Sequence, residues 1–299
     1  MNKTIESFIR EQIVATCGND YRNVHFRRSG VGCINETWQA FGEGLSSLFI
    51  KVGRSDAADM YEREREGLVL LSQARKLRIP QAYTVAANEH CACLIMEFIQ
   101  LQPLRLAAQV ALGEALAELH SISTDQYGLA EDNYIGRSRQ VNGFAEDWWE
   151  FYCDKRLTVQ WEMAKRNGMR SELLQRLQRL IERVPAHFAY HKPRASLLHG
   201  DLWSGNVAAD TAGTPVIYDP AVYYGDAETD IAMSQMFQSL GAGVYETYYQ
   251  YLPAQSGHAR RRSLYDLYHW LNHFNLFGVT YLGQVERAAD TVLQEIEST

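Results

Sequence analysis

Apolar positions Ile5, Phe8, Ile9 and Ile13 recur at helical spacing, so the chain opens with an amphipathic helix that ends near Gly18. The period then shortens. Tyr21 to Ser29, Thr37 to Phe41 and Leu48 to Val52 read as three short strands punctuated by glycines, the outline of an antiparallel meander. A helix from about Asp56 to Ala74 follows, with Pro80 marking its exit, and the strands Tyr83 to Ala86 and Cys91 to Phe98 complete a small sheet. After Pro103 long helical patterns dominate: Leu104 to Ser121, Phe144 to Arg166, Ser171 to Arg183, and most of the chain from Ala227 onward. Strands followed by a run of helices is the order expected of an α+β protein with segregated lobes, here residues 1–99 and 100–299. No internal repeat or low-complexity tract interrupts this reading.

Composition narrows the partners. The 299 residues are 46% hydrophobic, with 29 Lys+Arg against 36 Asp+Glu and a formal net charge of -7. A chain of this length buries a core without disulfides or a structural metal. The anionic balance disfavours nucleic acid, which selects proteins with cations to spare, and it disfavours anionic membrane surfaces. No apolar run approaches the roughly 18 residues of a membrane-spanning helix, and the N-terminal MNKTIESFIREQI has no signal-peptide character, so a cytoplasmic protein is expected. The five cysteines, Cys17, Cys33, Cys91, Cys93 and Cys153, are odd in number and irregular in spacing, which fits a reducing compartment. Cys91 and Cys93 share one face of a strand and read as core-facing thiols.

The strongest chemical signal is His199-Gly200-Asp201-Leu202-Trp203-Ser204-Gly205-Asn206, lying between the short apolar strands Ser196 to Leu198 and Asn206 to Ala208. Asp201 and Asn206 are five apart, the separation of a kinase catalytic loop, in which the Asp accepts the substrate hydroxyl proton and the Asn holds a metal ion. Asp219 follows at the end of the apolar Pro215-Val216-Ile217-Tyr218, where an acid suits Mg²⁺ on nucleotide phosphates. Asp and Asn also cap turns, but three of them at these spacings, each at a strand terminus, favour the chemical reading.

The N-terminal strands supply complementary parts. Gly30-Val31-Gly32-Cys33-Ile34-Asn35 joins the first two strands, and glycines there let backbone amides approach phosphates closely, although a plain hairpin turn has the same composition. Lys51 ends an apolar strand in which a lone cation needs a reason. It is suited to the α- and β-phosphates and to an acid on the following helix. Of Glu62, Glu64 and Glu66, Glu64 shares a face with Tyr61 and Leu68 and is the one chosen. Trp203 offers an aromatic face to an acceptor or packs against a helix. His269 and His273 stand four apart like zinc ligands but lack a glutamate or third ligand, which favours packing or a substrate hydrogen bond. Asp226 and Asp230 read as structural, one capping the helix that starts at Ala227 and the other bracing the catalytic loop from below. Cys33 is either a redox-sensitive thiol or an inert small residue.

These stretches together resemble the fructosamine kinase (ketosamine 3-kinase) family, within the wider aminoglycoside phosphotransferase and protein-kinase-like fold. The matching segments are GVGCINET (30–37), FIKV (49–52), MYEREREGL (60–68), LIMEF (94–98), LLHGDLWSGN (197–206), YDPAVYYGDAETDIAM (218–233) and LYHWLNHFNLFG (267–278). The resemblance implies a two-lobed kinase fold and ATP- and Mg²⁺-dependent phosphorylation of a sugar hydroxyl, the 3-hydroxyl, on a small-molecule or protein-bound ketosamine. It makes Asp201 the catalytic Asp that orients the attacking hydroxyl and accepts its proton, Asn206 and Asp219 the metal ligands, and Lys51 and Glu64 the phosphate-positioning ion pair. Gly30, Gly32, Cys33, Ile34 and Asn35 would line the nucleotide phosphates. Glu97 and Ile99 would fall at the hinge and meet adenine through their backbones. Trp203 and His273 are the acceptor-site candidates, and a monomer or weak dimer is expected. Gly200 replaces the Arg that protein kinases place before the catalytic Asp, which puts the chain with small-molecule kinases. Phe144 stands where the family usually has Trp, so a substrate contact in the segment Gln140 to Phe144 is in doubt. The competing readings are a kinase for an aminoglycoside, choline or homoserine-like acceptor, and a nucleotide-binding module without turnover.

Overall fold

Asn2 caps the first helix, its side chain accepting from the Ile5 N–H at 2.9 Å, and α1 (Lys3–Cys17) runs from there to Gly18. The computed structural model describes residues 1–31 and 36–298, so Gly32, Cys33, Ile34 and Asn35 lie outside the described residues. A one-turn 3-10 helix, Asn19–Asn23, takes the place of the expected strand start at Tyr21. Then follow β1 (His25–Val31), β2 (Glu36–Phe41), β3 (Leu48–Gly53), α2 (Ala58–Leu71), β4 (Ala82–Ala87) and β5 (Ala92–Glu97). The five strands form one antiparallel sheet in the order β1-β2-β3-β5-β4.

The continuous apolar run of β5 follows from its position. Cys93 and Ile95 face Ile9 and Ile13 of α1, while Ala92, Leu94 and Met96 face Tyr61 and Leu68 of α2, so both faces of the strand are covered. Cys91 and Cys93 are fully buried in the first of these clusters.

The remainder is mainly helical: α3 (Leu106–Ser121), β6 (Ser123–Thr124), β7 (Tyr127–Leu129), β8 (Asn133–Ile135), β9 (Ser138–Gln140), β10 (Gly143–Ala145), α4 (Trp148–Tyr152), α5 (Thr158–Arg166), α6 (Ser171–His187), β11 (Ala195–Leu198), β12 (Val207–Ala209), β13 (Pro215–Ile217), β14 (Tyr223–Gly225), α7 (Glu228–Met233), α8 (Ala242–Tyr251), α9 (His258–Phe277) and α10 (Leu282–Glu297). The expected helix from Phe144 starts later. Asp147 caps it, accepting from the Trp149 and Glu150 N–H groups at 2.9 and 3.0 Å, and a π-helical turn, Cys153–Leu157, joins α4 to α5. Phe144 itself lies in β10 and is 55% exposed, on a second sheet of order β10-β7-β14-β11-β6 that periodicity did not foretell, because its strands are only two to four residues long. The largest core gathers around Trp148, Trp149, Phe151, Tyr152, Tyr265 and Tyr268. Among the described residues no helix is long and apolar enough to cross a membrane.

Candidate active site

The β3 ladder pairs Lys51 with Thr37 and Leu94 and points its side chain inward, where it is 6% exposed. A buried ammonium needs compensating charge. Lys51 Nζ donates to Glu64 Oε1 and to Asp219 Oδ1, each at 2.6 Å. Of the three glutamates of α2, Glu62 turns to Arg65 and Glu66 to Arg63, leaving Glu64 against the lysine. Burial works against the charge on Lys51, but Asp219 and Glu64 outweigh it and hold the ammonium above its ordinary value. Burial also pushes Glu64 up to about 6, opposed by Lys51.

The loop from His199 to Asn206 is built from beneath. Asp230 at the start of α7 accepts from the His199 and Gly200 N–H groups at 2.7 and 2.9 Å and from His120 at 3.2 Å. Burial alone would raise the Asp230 carboxyl, yet these donors, His120 first among them, hold it below its ordinary value. Gly200 has φ +81°, and a Cβ there would lie 2.0 Å from the Ala221 carbonyl oxygen. Backbone conformation and close approach thus both exclude the arginine found at this position in protein kinases. His199 Nδ1 accepts from the Asp201 N–H at 3.3 Å, so its Nε2 carries the proton and donates to the Tyr218 carbonyl at 3.0 Å. Burial holds this imidazole below its usual value, in the neutral form.

That last bond ties the loop to the strand end bearing Asp219, the one non-glycine residue at positive φ (57°) among the described residues. Such a conformation persists only where the surroundings over-determine it. Asn206 donates its amide to the Asp201 carbonyl (2.9 Å) and carboxylate (3.1 Å), while its backbone carbonyl accepts from the Tyr218 N–H at 3.1 Å. Asp201 is raised to about 7, first by desolvation and then by the negative charge of Asp219, with Asn206 opposing. A carboxylate near 7 is poised to take a proton.

These residues line one cleft of about 600 Å³ between the five-stranded sheet and the helical region. Phe49, Met96, Ile99 and Val216 give it apolar walls, and Lys51, Glu64, Asp201, Asn206 and Asp219 its polar lining. Glu97 also lines it, but its carboxylate is engaged by Arg78 at 2.6 Å, and Arg78 is held in turn by Asp210 at 2.7 Å. The oxygen chemistry fits a hard cation such as Mg²⁺. Asn206 spends its NH₂ on Asp201, which leaves the amide oxygen, and the Asp219 carboxylate is 46% exposed.

Other expected residues fall differently. Gly30 lies within β1. Trp203 lines the cleft, whereas His273 stands behind it, linked through Phe237: ring centroids are 5.8 Å apart for Trp203–Phe237 and 4.8 Å for Phe237–His273. His273 Nδ1 donates to the His269 carbonyl at 2.9 Å, turning back along α9, and burial brings His269 down to about 3, a packed neutral ring. Asp226 Oδ1 accepts from the Glu228 N–H at 3.0 Å, the capping contact expected of it. Sequence reasoning missed the buried amides Asn133, Gln140 and Asn142 and the fully buried Arg156 beneath the Asp219 segment. No periodic signal marks them, because β8 and β9 are three residues each, NYI and SRQ, and Asn142 and Arg156 lie outside both strands.

A nucleotide-sized cleft between a five-stranded antiparallel sheet and a helical region, lined by a buried Lys–Glu pair and an Asp–Asn–Asp set, defines a phosphotransferase of the protein-kinase-like class. The chain belongs to the fructosamine kinase family, whose model matches residues 5–295. It is 39% identical over 272 residues to a chloroplastic protein-ribulosamine 3-kinase of Oryza sativa subsp. japonica, covering 90% of this chain and 79% of that one. In fold it matches a crystal structure from Haemophilus somnus provisionally named fructosamine-3-kinase, with TM-score 0.87, 24% identity and coverage of 95% and 96%. It also matches an ADP-bound aminoglycoside phosphotransferase, with TM-score 0.64, 15% identity and coverage of 97% and 98%.

Proposed function

We propose that the chain is an ATP-dependent ketosamine kinase that phosphorylates the 3-hydroxyl of a fructosamine- or ribulosamine-type adduct, free or protein-bound. In this reading residues 1–99 form the nucleotide-binding lobe and residues 100–299 the lobe that carries the catalytic loop and acceptor site. The observation that carries it is the convergence of Lys51, Glu64, Asp201, Asn206 and Asp219, from separate elements, on a single cleft.

The roles follow from chemistry. Phe49, Met96, Ile99 and Val216 offer a purine an apolar slot, with the backbone at Glu97 and Ile99 along its edge. Lys51, kept cationic by its two acids, meets the phosphate oxygens. Asn206 and Asp219 would hold Mg²⁺, which supplies neutralisation of phosphate charge when bound. Asp201 accepts the proton of the acceptor hydroxyl as its oxygen bonds to the γ-phosphorus and the bond to the β-phosphate oxygen breaks, releasing ADP. Trp203, with Phe237 and His273 behind it, forms an aromatic wall for the acceptor, whose amine-bearing sugar suits an aromatic face. Four free cysteines among the described residues agree with a cytoplasmic, reducing setting.

The test is a panel of synthetic ketosamines of fructose, ribulose and erythrulose, with choline and an aminoglycoside as controls, incubated with ATP and Mg²⁺. Product position is read by NMR. Phosphorylation at the third carbon of at least one ketosamine is expected; turnover of the control acceptors alone would overturn the reading.

A further inference from the structure

Lys51 is gripped by two acids from elements that no sheet among the described residues joins: Glu64 on α2 and Asp219 on the segment entering β14. One small element touches both. The β8–β9 hairpin reaches the Asp219 segment through two buried amides, Asn133 Nδ2 donating to the Val222 carbonyl at 2.7 Å and Gln140 Nε2 donating to the Ala221 carbonyl at 2.9 Å. Gln140 Nε2 also donates to Asn133 Oδ1 at 2.8 Å, and Asn142 Nδ2 donates to the same oxygen at 3.0 Å. Tyr268 and Arg156 close the network, on Gln140 Oε1 at 3.1 Å and Asn142 Oδ1 at 2.8 Å. From its opposite side the hairpin reaches α2, where Tyr134 Oη donates to Asp59 Oδ2 at 2.7 Å, in the first turn of the helix that carries Glu64. Asn133, Tyr134 and Gly136 of this hairpin line the cleft itself.

We propose that the β8–β9 hairpin is a clasp that holds Glu64 and Asp219 in common register on Lys51, with Tyr134, Asn133 and Gln140 as positioning residues. The inference rests on the kinase reading above. In protein kinases the lysine–glutamate pair and the metal-binding Asp must both be in place, and helix position and loop phosphorylation govern this. Here the same alignment is supplied by hydrogen bonds from fixed side chains. Two further observations fit. Asp219 keeps its left-handed backbone while the carbonyls two and three residues on are pinned by the hairpin. At Gly67, α2 lies against that same segment, so closely that a Cβ would meet Pro220 at 3.2 Å and Val222 at 3.4 Å.

The test uses the full chain with Tyr134→Phe, Asp59→Ala, the double variant, and Gln140→Leu. Tyr134→Phe and Asp59→Ala should each raise the KM for ATP by about threefold to tenfold, the size of a typical hydrogen bond, since solvent at this exposed site weakens the contribution of the carboxylate charge. The double variant should show no more than the larger single effect. The ketosamine KM and the melting midpoint of Tyr134→Phe should stay at the wild-type values. Gln140→Leu should lose roughly tenfold or more in kcat/KM for ATP through the unpaired Ala221 and Asn133 groups. An unchanged ATP KM in Tyr134→Phe, or fully additive effects in the double variant, would overturn the clasp even if Gln140→Leu fails to fold. Asp201→Asn is the separate control: if it retains turnover, the kinase assignment of that residue fails, whereas an inactive Asp201→Asn beside an unaltered Tyr134→Phe condemns the clasp alone.

Discussion

The twelve residues from Asp219 to Asp230 contain four acids that meet two different fates. Asp219 faces the cleft, 46% exposed, on strained backbone, with Lys51 as its ionic partner. Asp226 and Glu228 are sealed nearby in a cluster whose ligand-type atoms, with those of His191, all lie within 4.8 Å of one another. That spacing would suit a metal, but the cluster is already saturated: Asp226 Oδ2 takes His191 Nε2 and Tyr265 Oη at 2.6 Å each, and Arg261 binds Glu228 through two nitrogens at 2.7 Å. Asp230, buried with three polar contacts to His120, His199 and Gly200, is lowered, whereas Asp201, which has Asn206 as its side-chain partner, is raised to about 7. Acids of one type, a few residues apart, become reactive or structural according to the coordination capacity their surroundings leave unused.

Four substitutions sharpen that contrast. Asp201→Asn should cut kcat by roughly 10²–10⁴-fold, as expected for loss of a general base. It should bind ATP normally in calorimetry and melt no lower than wild type, because the carboxylate it removes is disfavoured by its site. Asp226→Ala should do the reverse, costing about 3–5 kcal/mol in denaturant unfolding by stranding His191 and Tyr265, with little change in kcat per folded molecule. If turnover falls and stability does not, the division between the two regions is wrong. Lys51→Met should lower kcat/KM for ATP by about 10²-fold, since it removes the cation that faces phosphate and leaves Glu64 and Asp219 repelling each other. Unchanged steady-state constants would exclude that role.

The smallest effect is one of pH. The Asp230 carboxyl lies below its ordinary value in the folded chain, so its contribution is complete above the unfolded value near 4 and is lost as pH falls through the folded one. Unfolding free energy should therefore drop below pH 4 more steeply in wild type than in Asp230→Asn, by up to about 1.4 kcal/mol per pH unit. Parallel curves would mean that Asp230 titrates normally.

Much of the site was legible because its signals are local. A lysine inside Leu48–Val52 is anomalous wherever it occurs, and the facing acid follows from helical period, which puts Glu64 rather than Glu62 or Glu66 beside Tyr61 and Leu68. The Asp201–Asn206 spacing is likewise a property of one loop. The helix start at Trp148 was misread at Phe144 because the cap at Asp147 lies in a polar stretch that both readings accommodate. Trp203 and His273 could be nominated singly, but that Phe237 stands between them depends on how α9 packs against the loop before α8.

By itself, then, the sequence determined the order of elements from β2 to β5, the apolar faces of α1, α2 and β5, and the residue types that phosphoryl transfer requires, since periodicity and motif spacing act over a few residues. Only the tertiary structure decided which acid stays reactive, why Gly200 can carry no side chain, and that Asn133, Gln140 and Tyr134 join α2 to the Asp219 segment. Those outcomes depend on hydrogen bonds and close contacts between residues far apart along the chain, and desolvation acts on whatever the fold brings together.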